Sequence, residues 1–159
     1  AFTSSDFFFC WCPEGKKGHY SADLCASYSP QFYRQFDVPA STPVLERYGG
    51  GLLHNCGPNP CLFEYANQVP RFSGLNLAYN YSHPDLPRIK QAMRDRIVYF
   101  IYEEEPWSAL EHYKYTMEQL APDVIAIPVL SVTDETIDPS ELYGKFREVS
   151  EEYARRVFG

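Results

Sequence analysis

His54 and Cys56 stand two residues apart at the end of a short apolar run, Leu52-Leu53, and Gly57-Pro58 follows at once. Glycine and proline after an apolar run mark the end of a strand. Side chains two apart on a strand point to the same face. The imidazole and the thiol should therefore meet where the strand stops. An imidazole nitrogen and a thiolate are two of the ligands that zinc takes. The same pair also reads as a buried thiol beside a hydrogen-bonded histidine, and the spacing alone does not separate the two. A second pair, Cys10 and Cys12, flanks Trp11 in an aromatic segment. There the thiols read first as small core side chains and second as ligands.

Catalytic zinc usually has three protein ligands, so two leave the site short by one. Candidates to complete it are Asp23, Glu103, Glu104, Asp134 and Cys10. Asp23 is read as a general base, a ligand or a turn cap. The run Glu103-Glu104-Glu105 before Pro106 also reads as a solvated loop facing a helix N-terminus.

These residues need a frame. Strand-like segments are expected at 19–24, at the LLHNCG stretch, at 72–79, at 97–102 and at 124–132, where Pro128 argues for a bulge or a weakly paired end. Ser29-Pro30 opens a helix that is expected to stop near Pro39, and a second helical piece is expected over 43–48. Further helices are expected after Pro60, from Ser82-His83-Pro84, from Pro106 and from Asp138-Pro139. Strands alternating with helices make parallel βαβ units. In barrels of this kind chemistry gathers at the C-terminal ends of the strands. Those ends hold Asp23, His54, Cys56, Asn76, Asn80, Glu103, Glu104, Ser131, Thr133 and Asp134. There is no Gly-rich phosphate loop.

The chain has 159 residues, enough for one domain with a sizeable core. A net charge of −7 without a Lys/Arg stripe argues against nucleic-acid binding. No apolar run reaches the length of a membrane span, and no leader is evident. Five cysteines without a small disulfide framework read as reduced thiols in a cytoplasm. The opening run Phe7-Phe8-Phe9-Cys10-Trp11 reads as the interior of a longer protein.

Three stretches carry a family likeness. Ser29-Pro30 through Phe32-Tyr33, Phe36 and Pro39 is similar to an S-P-x-x-(F/Y)-x-x-F-x-x-P helix. Leu53-His54-Asn55-Cys56-Gly57 is similar to an H-x-C-G strand end, and Ile137-Asp138-Pro139 to a closing helix start. Together they resemble the uroporphyrinogen decarboxylase superfamily, with the H-x-C-G element like that of its cobalamin-dependent methyltransferase branch.

The resemblance implies the C-terminal half of a TIM-type (β/α)₈ barrel, with about five parallel strands. It implies zinc on His54 and Cys56, two of three expected ligands. Alignment on Asp138-Pro139 puts Ser131 where the third ligand of the methyltransferases, or a histidine of the decarboxylases, would stand. Asp23 takes the place of a decarboxylase serine. Asp23, Glu103 and Ser131 are the catalytic candidates. The implied activity is methyl transfer to a thiol from a corrinoid protein as partner. The alternatives are porphyrinogen decarboxylation without a cofactor, or a non-catalytic barrel fragment. A half-barrel leaves sheet edges and an inner face uncovered, so a homodimer or a separate N-terminal half is expected to complete it.

Overall fold

The computed structural model describes residues 19–159. The expectations for Cys10, Cys12 and the Phe7–Trp11 run lie outside the described residues.

Five strands form one sheet in the order β1-β2-β3-β4-β5, and all neighbours are parallel. They are β1 (His19–Ser21), β2 (Gly51–His54), β3 (Phe72–Ala78), β4 (Ile97–Tyr102) and β5 (Ile125–Leu130). The helices are α1 (Pro30–Phe32), α2 (Val38–Tyr48), α3 (Leu62–Gln68), α4 (Tyr79–Ser82), α5 (Leu86–Ala92), α6 (Pro106–Leu120) and α7 (Pro139–Phe158). The protein is thus α/β, with a parallel sheet alternating with helices.

Sequential strand order keeps every crossover on the same side. The main core accordingly joins Leu53, Leu75, Val98 and Phe100 of the sheet to Leu45, Tyr65, Ile89, Leu110 and Phe146 of the helices. On the opposite face a smaller cluster joins, among the described residues, Leu52, Ile97 and Tyr99, which are buried, to Ile127 and Val129, which are partly covered. The sequence expects this face to be uncovered. It is covered over β2 and β4 and more open at β5, where Ile125, which the apolar run 124–132 puts in or beside the sheet core, is 55% exposed.

Several boundaries differ from the sequence reading. The first strand stops at Ser21, because Asp23–Ser27 turns into a 3₁₀ helix. The helix from Pro30 does not stop at Pro39. It passes through a π-helical turn at Tyr33–Asp37 and continues as α2 to Tyr48. The π turn closes with the Val38 N–H on the Tyr33 carbonyl. Pro39 then falls in the first turn of the α-helical stretch, where its missing N–H is tolerated. Pro128 causes no bulge: β5 pairs in register with β4 along its whole length, with Phe100 opposite Pro128. The Ile125 N–H donates to the Arg96 carbonyl. By alternation the Pro128 nitrogen faces away from β4, on the side where no described strand pairs. No helix among the described residues is long and apolar enough to cross a membrane.

Candidate metal centre

His54 is the last residue of β2, and Cys56 follows it in the turn. The ladder persists just beyond the strand: Asn55 N–H donates to the Asn76 carbonyl at 3.0 Å and Ala78 N–H to the Cys56 carbonyl at 3.2 Å. Gly57 then reverses the chain at φ +107°, where a side chain would be strained and would also strike the Tyr81 Cβ at 2.9 Å. Asn55 braces this turn from inside. Its Oδ1 accepts from Gly57 N–H at 2.9 Å and its Nδ2 donates to the Tyr65 hydroxyl at 3.1 Å.

Asp23 arrives from the end of β1. Ala22 N–H donates to the His54 carbonyl at 2.8 Å, which carries the β1 end over β2. Asp23 Oδ2 then accepts from the Ser21 hydroxyl at 2.8 Å, and Oδ1 accepts from Cys56 N–H at 3.1 Å.

The three side chains converge. His54 Nε2 is 3.4 Å from Cys56 Sγ and 3.4 Å from Asp23 Oδ1. The ligand atoms of Asp23, His54 and Cys56 all lie within 4.8 Å of one another, and among the described residues no other group of three such side chains does so. Zinc distances of about 2.0–2.2 Å to nitrogen and oxygen and 2.3 Å to sulfur, at tetrahedral angles, put nitrogen and sulfur about 3.5 Å apart and nitrogen and oxygen about 3.4 Å apart. The two spacings at Nε2 match these edges, so the donor set fits a small divalent cation. His54 is also held from behind, with its Nδ1 2.5 Å from Oδ1 of the buried Asn76, its register partner on β3. A hydrogen bond to the second ring nitrogen is the usual support of a ligating histidine.

Burial pushes the Cys56 thiol above its ordinary pKa, and the carboxylates of Asp23 and Glu103 push it further the same way. For Asp23, desolvation acts upward, but the Cys56 N–H, the Ser21 hydroxyl and His54 outweigh it, and its carboxyl is held below the usual range. A Cys–His–Asn arrangement also resembles that of thiol nucleophiles. Such a nucleophile needs an electropositive surrounding that favours thiolate, and two carboxylates supply the opposite. A cation among these three side chains would reverse that balance.

The other sequence candidates lie apart from the three. Glu103 is exposed just beyond β4 and acts on Cys56 through its charge. With Glu104, Ser131 and Asp134 it lines a separate cleft of about 690 Å³ at the ends of β4 and β5. Glu104 is engaged by His112 at 2.6 Å. Asp134 Oδ1 accepts from the Thr136 hydroxyl and N–H, which lower its pKa, and so it shapes the turn before α7. Ser131 lines that same cleft at the ends of β4 and β5, whereas Asp23 is the side chain that joins His54 and Cys56. Asn76 is recognisable in the sequence as a polar residue near a strand end, but its partner is not, because strand adjacency sets it. Cys25, Cys56 and Cys61 are free thiols.

No family model, no curated protein and no solved structure matches the chain.

Proposed function

We propose that this chain is the C-terminal half of a TIM-type barrel of the uroporphyrinogen decarboxylase superfamily, of the zinc-dependent methyltransferase type, acting on a thiol. The observation that carries the reading is the convergence of Asp23, His54 and Cys56 at the C-terminal ends of β1 and β2. Asp23 supplies the same single negative charge as the absent third cysteine. A zinc ion there would supply the positive charge that lowers a substrate thiol's pKa. His54, Cys56 and Asp23 would hold the ion, and zinc sites with three protein ligands are the kind that act on a substrate. In the overall reaction the thiol proton is released and the sulfur takes the methyl group from a partner protein's corrinoid, whose cobalt keeps the bonding electron pair. Decarboxylation is less well supported, since no Lys or Arg stands at positions 21–23, 54–56, 78–79, 102–105 or 130–131.

The remaining barrel strands would come from a second copy or from a separate N-terminal half. Light scattering on dilute protein tests this part, and a monodisperse monomer with a cooperative melt overturns it. For the activity, purified protein is analysed for metal, loaded with zinc and incubated with methylcobalamin and a panel of small thiols. Methylated thiol formed by wild type and not by Cys56→Ser is the expected result. A protein that ignores added zinc, or zinc-loaded protein without turnover, counts against the reading.

A further inference from the structure

Resting on the metal reading above, we propose that Asn76 is a positioning residue that selects the ligating tautomer of His54 by accepting the Nδ1 proton on its amide oxygen. A neutral imidazole carries one proton. If that proton sits on Nδ1 and is given to Asn76 Oδ1, Nε2 holds a lone pair. Nε2 is the nitrogen 3.4 Å from both Asp23 Oδ1 and Cys56 Sγ. The amide thus decides which nitrogen is available to a cation.

The opposite arrangement is also chemically complete. With the amide turned over, Nδ2 would donate to Nδ1 and the proton would move to Nε2, which would then donate to Asp23. That imidazole cannot ligate through Nε2. The two arrangements differ by one amide turn and one proton, and a cation on Nε2 is compatible with the first alone. Asn76 is fully buried, and among the described residues its Nδ2 has no hydrogen-bond partner. Its hydrogen bond to the imidazole is therefore the contact that sets the amide's orientation. Backbone register makes the pairing stiff: Asn76 lies opposite His54 in the β2–β3 ladder, and Asn55 N–H donates to the Asn76 carbonyl.

The test uses the whole chain with zinc alone, competed against a chelating indicator. Asn76→Asp keeps an acceptor facing Nδ1, whereas Asn76→Leu keeps similar bulk and removes it. The expected result is Asn76→Asp within about threefold of wild type and Asn76→Leu about 10- to 100-fold weaker. A packing role gives the reverse order, because only the aspartate buries a charge. Nitrogen-15 NMR of metal-free, histidine-labelled wild type reads the tautomer without any variant, and His54 is expected to carry its proton on Nδ1. A proton on Nε2, or equal weakening in both variants, overturns the proposal. If wild type takes up no zinc, the metal reading fails, and the NMR result still decides the role of Asn76.

Discussion

The backbone N–H of Cys56 donates to Oδ1 of Asp23 at 3.1 Å, so one carboxylate both ties the turn after β2 to the end of β1 and faces His54. Asp23→Asn separates the two roles. The amide keeps an acceptor for the N–H and loses the charge a cation needs. Zinc affinity measured by titration should fall about tenfold or more, while urea-derived stability should change by less than about 1 kcal/mol, as for one exposed hydrogen bond. Equal affinity in the variant and wild type removes Asp23 from the ligand set.

Alkali should weaken the fold. Burial pushes Tyr20 and Cys25 up to about 12 and Cys61 up to about 11. In the unfolded chain a thiol ionises near 8.5 and a phenol near 10. Between those values and the folded ones, the folded state holds protons that the unfolded state has released. Stability is therefore full below about pH 8.5 and falls as pH rises toward 11 to 12. Urea midpoints in reductant at pH 7.5 and 10.5 check this, and equal midpoints contradict it.

Gly74 lies between Leu52 of β2 and Ile97 of β4. A Cβ there would run into the Ile97 carbonyl oxygen and come within 2.8 Å of Leu52 Cδ2. Gly74→Ala should cost about 1–3 kcal/mol through overpacking, read as a lower urea midpoint. An unchanged midpoint would mean that the sheet yields there.

Pro128→Val places an N–H on the side of β5 that no described strand covers, between Ile127 and Val129. Proline on an edge discourages strand addition. The variant should self-associate faster than wild type in time-resolved light scattering. Matching traces would show that Pro128 does not guard this edge.

Much of the frame is legible from local chemistry. The run Ile97-Val98-Tyr99-Phe100-Ile101-Tyr102 is β-branched and aromatic throughout, and it becomes β4 with the same ends. Asp138 caps α7 by accepting from Ser140 N–H, as the Asp-Pro-Ser-Glu stretch suggests. Period two brings His54 and Cys56 together. What stays hidden depends on neighbours distant in sequence. The bond between Asn76 and His54 spans 22 positions and follows from β3 pairing with β2. Asp23 reaches the site because Ala22 bonds to the end of β2. Pro39 reads as a helix stop because its local rule assumes α geometry, and the π turn before it changes that geometry.

That π turn decides where this helix tolerates a change in chain length. It holds one residue more than an α-helical turn would, and each residue of an α-helix advances the phase by about 100°. Asp37 ends the turn and accepts from the Ser41 hydroxyl at 2.8 Å, and Leu45, further along, is buried in the main core. Removing one residue from 33–37 would close that turn with α geometry and keep Val38 to Tyr48 in phase, whereas a deletion between Val38 and Val44 would rotate Leu45 off the core by that angle. One residue can therefore be lost from the turn without disturbing that phase, and none from the α-helical stretch that follows it.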